Sequence, residues 1–185
     1  MSTAVQPEPS TSTWQVDPVH STAQFKVKHL MISNVKGEFT SIKGTLQLDS
    51  SDVTNSSLEV AIDANSINTR EPQRDTHLKS ADFLEAEKFP NIIFKSTKVS
   101  KKEGGDFAVE GDLTIHGVTR KVTLDAEAPS APQKDPWGGT RIGVEATTKI
   151  NRKDFGLIWN ATLETGGFMV GDEVTIALDV EFIKQ

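Results

Sequence analysis

Val174-Thr175-Ile176-Ala177-Leu178-Asp179-Val180-Glu181-Phe182 puts a larger apolar side chain at every second position, with Thr175, Ala177, Asp179 and Glu181 between. Successive side chains of a β-strand point to opposite faces, so this run has one greasy face and one largely polar face. The same period recurs upstream in Ile142, Val144, Ala146, Thr148 and Ile150. It appears again in Phe107, Val109, Gly111, Leu113 and Ile115, and in Val122, Leu124 and Ala126. Nearer the start, Ala23, Phe25, Val27, His29 and Met31 share a line against Gln24, Lys26 and Lys28. Ile42, Gly44, Leu46 and Leu48 form another line, Leu58, Val60, Ile62 and Ala64 a third, and Ile92 to Val99 a shorter run. The reading is a one-sided antiparallel sheet throughout.

Turn chemistry separates the runs at Asp49–Asn55, at Lys101–Asp106 with Gly104-Gly105, and at His116-Gly117. The widest break, Pro129–Gly139, holds three prolines and two glycines and reads as a mobile loop. One segment departs from period two: Arg74–Leu84 places Leu78, Ala81 and Phe83 or Leu84 on a helical face, with Pro72 just upstream, Asp75 near its start and Pro90 beyond its end. About eight long strands with one helical insertion fit an all-β closed barrel better than a sandwich, because closure removes the exposed sheet edges. The expected organisation is a flexible tail over residues 1–12 and one barrel domain over 13–185.

The bulk composition narrows the function classes. With 26 acidic and 20 basic residues the formal charge is −6, which argues against a nucleic-acid partner and gives no general pull toward anionic bilayers. Cysteine is absent, so disulfides, thiolate metal sites and cysteine nucleophiles are excluded. Met1 to Ser12 carries neither a cationic start nor an apolar run. The expectation is a cytoplasmic protein, or a periplasmic one if a signal preceded this sequence, with no stable membrane insertion.

An eight-stranded barrel is either filled by its own side chains or holds one small ligand. The inward lines mix Phe25, Phe39, Leu46, Phe94, Leu113, Ile115 and Ile176 with Ala23, Gly44, Ala64, Gly111, Ala126 and Ala146, and leave both readings open. A hollow interior of this composition is apolar and suits a hydrocarbon chain.

Spaced motifs then carry a family resemblance. Trp14-Gln15-Val16-Asp17-Pro18-Val19-His20-Ser21 resembles the W-x-x-D-x-x-H-S opening of the YceI-like family of lipocalin-like polyisoprenoid-binding proteins. Phe25-Lys26-Val27-Lys28-His29-Leu30, Val35-Lys36-Gly37-Glu38-Phe39 and Asn65-Ser66-Ile67-Asn68-Thr69 follow in order. So do Arg74–Ser80, Asp82-Phe83-Leu84, Phe89–Phe94, Gly111–Thr119, Asn151–Gly156 and Val170–Val174. The resemblance covers roughly residues 14–183. It implies an extended eight-stranded antiparallel lipocalin-like barrel beside a short helix, and cargo of the isoprenoid-quinone or polyprenyl-phosphate type, with fatty-acid amides as a variation. The short G-x-W fingerprint of ordinary lipocalins is missing, so the likeness to them is architectural.

The expected lining of a lumen is Phe25, Val27, Phe39, Leu46, Ile62 and Phe94, joined by Leu113, Ile115, Ala146 and Ile176. Leu78 and Phe83 reach it from the helical segment, and Phe155, Leu157, Trp159 and Met169 line or gate it from the stretch after the N-R-K-D-F-G turn. Blocking this space with Trp at Ala146 or Gly111 is expected to exclude cargo from a folded barrel. Arg70, Arg74 and Arg152 each neighbour a carboxylate and read first as ion pairs, with a head-group contact as the sharper alternative. No two of His20, His29, His77 and His116 lie at metal-pair spacing, and no nucleophile motif is present, so neither a metal, a cofactor nor catalysis is expected. The partner is then a long-chain isoprenoid or other apolar lipid, with a homodimer as a further association. The competing reading is a filled barrel acting as a structural or protein-interaction module. The least favoured is an enzyme acting on the bound lipid.

Overall fold

A computed structural model describes residues 10–185. Twelve strands in chain order, β1 (Thr11–Val16), β2 (Thr22–His29), β3 (Ser33–Phe39), β4 (Ile42–Asp49), β5 (Ser57–Asp63), β6 (Ile67–Asn68), β7 (Asn91–Lys101), β8 (Phe107–Ile115), β9 (Val118–Ala126), β10 (Gln133–Lys134), β11 (Thr140–Asn151) and β12 (Val170–Lys184), form one sheet. The ring β11-β9-β8-β7-β5-β4-β1-β12 closes through the β11–β12 pairing, Arg141↔Ile183 to Asn151↔Glu173, into an eight-stranded antiparallel barrel. β2, β3 and β6 continue β1, β4 and β5 beyond kinks, so each of these staves is one long, bent strand. β12 shows why: Phe182 pairs with Val16 of β1, and further along Leu178 pairs with Ala23 of β2.

Thr11 and Ser12 pair with Asp49 and Leu48, so the first strand begins inside the segment expected to be a tail. Tertiary pairing overrides a Ser/Thr-rich composition there. Residues 1–9 of that tail lie outside the described residues. His29 closes β2, and Met31 does not extend the inward line: it sits in the β2–β3 turn, 59% exposed.

The helix α1 spans Pro72–Lys79 rather than Arg74–Leu84. Pro72 fills the first helical turn, where its missing N–H costs nothing, and the Glu71 carboxylate accepts from Gln73 N. Ser80 ends it early, its N–H and Oγ both donating to the His77 carbonyl at 3.1 and 2.7 Å. Ala81 is exposed, while Phe83 and Leu84 are buried from turns after the helix.

The segment from Thr69 to Pro90 fills the wall where β6 stops and β7 has not begun. His116, in the β8–β9 turn, meets Glu85 at 3.2 Å and packs edge-on against Phe89, fastening that segment to the barrel. That turn has positive φ at both His116 and Gly117, the geometry that suits a two-residue hairpin.

The segment after β9, expected to be mobile, is tied down. β10 pairs with the start of β11, and the Asp135 carboxylate accepts from Trp137 N, Gly139 N and Arg141 Nε at 2.9, 2.8 and 2.6 Å. Outward positions carry exposed charge, including Lys43, Glu59, Lys95, Asp125, Glu145 and Asp179. This apolar-in, polar-out pattern is the reverse of a barrel that faces lipid. No helix among the described residues is long and apolar enough to cross a membrane.

Candidate functional site: an apolar lumen

The inward lines enclose a space. Phe25, Phe39, Ile62, Val144, Ile176 and Leu178 point inward yet are only partly buried, because they face a cavity rather than one another. The cavity has a volume of 270 Å³. Its lining is apolar except for Gln24, Ser56, Ser57, Glu127, Thr148 and Arg152.

It runs the length of the barrel. On β12 the lining extends from Val170 to Phe182, about 40 Å along a strand at ~3.3 Å per residue and roughly 30 Å along a barrel axis inclined ~40° to it. Spread over that length, the volume leaves a cross-section of about 9 Å² for the centre of a water molecule, or about 3 Å from axis to wall surface. Wall carbons then lie about 5 Å from the axis against a contact distance of ~4 Å, which admits one file of carbons with methyl branches but not two chains abreast.

Glycines shape this bore in two places. A Cβ on Gly111 would lie 2.5 Å from the Lys95 carbonyl oxygen and from the Phe94 ring, and one on Gly37 would strike the Phe25 ring. Each glycine lets an aromatic ring lie flat across the wall instead of crossing the lumen. Phe25 and Phe39 meet at 5.8 Å between ring centroids.

Of the residues expected at the lumen, Leu46 lines it toward the end closed by Trp14, Ile42 and Phe182. Phe25, Phe39, Ile62, Phe94, Ala146 and Ile176 line its middle. Val27, Leu78, Phe83, Leu113, Ile115 and Leu157 line it toward the opposite end. Phe155, Trp159 and Met169 do not border it. Phe155 is fully buried in the core behind the wall, 1% exposed, in a 3-10 turn over Arg152–Phe155. Trp159 packs edge-on against His77 and at a tilt against Phe83, with ring centroids 4.8 and 5.3 Å apart. Met169 belongs to a small hairpin, its N–H donating to the Ala161 carbonyl at 2.9 Å. An unbroken apolar stretch has no alternation from which to read its facing, so sequence could not separate these three from Leu157. Among the lining residues missed are Leu48 and Phe107, at the ends of β4 and β8, and Val53, in the 3-10 turn that follows β4. For Leu48 and Phe107 the signal was there, since both continue named lines.

The arginines have structural partners. Arg152 alone borders the lumen, yet its guanidinium donates to the carbonyls of Leu157, Trp159, Gly171 and Val170 at 2.5, 2.9, 2.8 and 3.3 Å. Burial pushes its pKa down and the Asp172 carboxylate, 3.6 Å away, pulls it back up. Asn151 caps the turn that presents it, accepting from Lys153 N, and Gly156 ends that turn at φ 77°. Arg74 donates to the Thr69 hydroxyl and carbonyl at 2.8 and 2.9 Å, with Asp75 accepting from the same hydroxyl. Arg70 is exposed and away from the lumen.

Asp17, His20 and Glu181 converge on the outer wall in a constellation able to hold a cation. Arg141 already supplies positive charge there, bonding Asp17 at 2.5 Å and Glu181 also, while His20 Nδ1 lies 2.9 Å from Asp17. The His20 bond, then that of Arg141, hold the Asp17 carboxyl far below the usual range despite burial. The cluster locks the β1–β2 kink and the Pro129–Gly139 loop to the barrel.

Known proteins match this architecture. Residues 14–182 fit the YceI-like domain. The chain is 40% identical over 166 residues to Protein YceI of Salmonella newport, spanning 90% of this chain and 83% of that one. BcnA of Burkholderia cenocepacia superposes with a TM-score of 0.76 at 20% identity, over 90% of this chain and 98% of that one. A polyisoprenoid binding domain from Saccharophagus degradans gives 0.66 at 16% identity, over 96% and 100%. With the domain match spanning nearly all of the described chain, its hollow eight-stranded barrel belongs to the YceI-like family.

Proposed function

We propose that the barrel binds one long-chain isoprenoid lipid, of the isoprenoid-quinone or polyprenyl-phosphate type, and stores, shields or carries it without chemical change. The observation that carries this reading is the bore: roughly 30 Å long and one branched chain wide. The hydrocarbon core of a bilayer is also about 30 Å thick and holds two acyl tails end to end. An ordinary acyl tail would therefore fill about half the lumen, and a long prenyl chain fills it. The Saccharophagus domain, described as polyisoprenoid binding, supports the same cargo class.

Burying hydrocarbon from water favours binding by about 0.8 kcal/mol per CH₂. The cargo's real alternative is a bilayer, so the net preference is small and exchange with membranes is feasible. A lumen open along its length also counts against the filled-barrel interaction module.

The test is native mass spectrometry of freshly purified protein, followed by solvent extraction and lipid identification. One prenyl lipid per chain is the expected result. Protein that stays empty after incubation with prenyl-quinone-containing vesicles, or that takes up only two short acyl chains, overturns the proposal.

A further inference from the structure

The barrel end bearing the β2–β3 turn breaks two local rules at once. Leu30 and Met31 both hold positive φ, 51° and 61°, in a turn whose geometry favours Asn and Gly. Bulky side chains are strained there. The same turn exposes Met31 (59%) and Ile32 (82%). Phe168 (52%) stands beside it on the hairpin whose Met169 carbonyl accepts from Leu30 N at 2.8 Å, and Ile158 (70%) adds a fourth apolar tip from the loop after β11. Strain and apolar exposure at one place mark a surface whose partner is absent from the isolated chain.

The charge around this rim points to the partner. The outer face of the β2–β3 hairpin carries Lys26, Lys28 and Lys36, all exposed, with Lys26 and Lys36 directly opposite each other. Like charges facing across a pair are unfavourable without a counter-charge. The neighbouring ion pairs are Lys149–Glu173 and Lys153–Asp172, and among the described residues no carboxylate lies within 4.0 Å of Lys26, Lys28 or Lys36. At ~3.3 Å per residue of strand, Lys28 sits about 3 Å back from His29 and Lys36 about 10 Å back from Ser33, where the two strands enter the turn. The headgroup layer of a bilayer is about 5–7 Å deep, and lysine stems reach several ångströms toward it.

We propose that this rim docks on a bilayer carrying anionic lipid, Met31, Ile32, Ile158 and Phe168 entering the acyl boundary while the three lysines meet headgroup phosphates and carboxylates. The overall −6 charge is no obstacle, because screening over about 8 Å leaves the local patch in control. The lumen reaches the same end, with Val27, Val170 and Leu157 in its lining just behind the rim, so docking would set the bore against the lipid pool. The inference rests on the reading of the lumen as a lipid site for its purpose, but it is tested separately.

The experiment is vesicle co-sedimentation of the full chain with phosphatidylcholine vesicles, with and without 30% phosphatidylserine, alongside extraction of bound lipid from each variant. The intact chain is expected to sediment with the anionic vesicles, and 0.5 M salt to release it. Changing Lys26, Lys28 and Lys36 together to Gln should weaken binding about a hundredfold, roughly fivefold per lysine. Those side chains are exposed, so the barrel remains folded. Ile32→Asp with Phe168→Asp should abolish binding, with circular dichroism unchanged. No binding to either vesicle, or equal binding by the lysine variant, overturns the docking proposal even where extraction finds prenyl lipid. Conversely, docking without extracted lipid would overturn the carrier reading and leave the docking surface standing. If the aspartate variant splits a dimer in sedimentation velocity and vesicle binding is unaltered, the rim is an interface between copies and the proposal fails.

Discussion

Replacing Arg152 by Met separates a brace from a head-group receptor. The residue is 3% exposed, and four carbonyls from Leu157, Trp159, Val170 and Gly171 converge on its guanidinium. Methionine keeps much of the apolar stem and removes all donors. A charged donor lost from a buried acceptor costs about 1.5–3 kcal/mol, but the bonds share one group and the loop can relax, so the sum is not additive. Breaking a comparable buried charged contact costs about 3–5 kcal/mol, and we expect about 4 kcal/mol here. With a urea slope of ~2 kcal/mol/M, the unfolding midpoint falls by about 2 M. Arg152→Lys should recover less than half, since a compact ammonium cannot span four diverging acceptors. Equilibrium urea unfolding followed by fluorescence of the three tryptophans reads the shift. A midpoint lowered by less than about 0.5 M, in protein that has lost its lipid, would refute the brace and restore the head-group role.

Ala146→Trp places an indole in the lumen from a wall position, and should cut extractable lipid to a small fraction while destabilising the barrel by about 1–3 kcal/mol; unchanged lipid would move Ala146 off the bore. The equivalent change at Gly111 should not give a folded, blocked barrel. Even Gly111→Ala forces a Cβ to 2.5 Å from the Lys95 carbonyl, so a loss of about 2–3 kcal/mol in urea unfolding is expected, and a neutral result would show that β7 yields where its register with β8 shifts, between Ser96 and Lys98. Asp17 and Asp135 have folded pKa values depressed below the unfolded value near 3.9, chiefly by His20 for Asp17 and by Arg141 for Asp135. Their contribution is therefore fully present above about pH 4 and lost as pH falls further. Thermal melts of the native chain and Arg141→Met should differ at pH 7 and converge toward pH 2; a gap constant with pH would show that Arg141 acts by packing.

Much of the architecture was legible as period two. Ile176, Leu178 and Phe182 face inward because the pleat leaves them no other choice once Asp179 and Glu181 face water. The turn at His116-Gly117 and the spaced motifs are equally local, so composition and spacing reported them. The inward assignments of Phe25, Leu46, Leu113 and Ala146 followed from the same rule.

What local sequence could not carry was distance between strands and the destination of irregular chain. Whether the inward residues meet or stand apart depends on barrel radius, which is set by how eight staves stagger and close; only the tertiary structure decided that the bore is hollow. Arg152 beside Asp154 read as a candidate ion pair or head-group contact, but its acceptors include Val170 and Gly171, brought close by the β11–β12 pairing. Asp17 and His20 lie three residues apart, but Arg141 and Glu181 are distant in the chain, and closure of β12 against β1 and β11 made the four one cluster. The sequence by itself determined which face of each strand is apolar, because that is a matter of neighbours two residues apart. The tertiary structure alone decided what that face encloses, because a cavity is a property of the gaps between elements and no single element contains it.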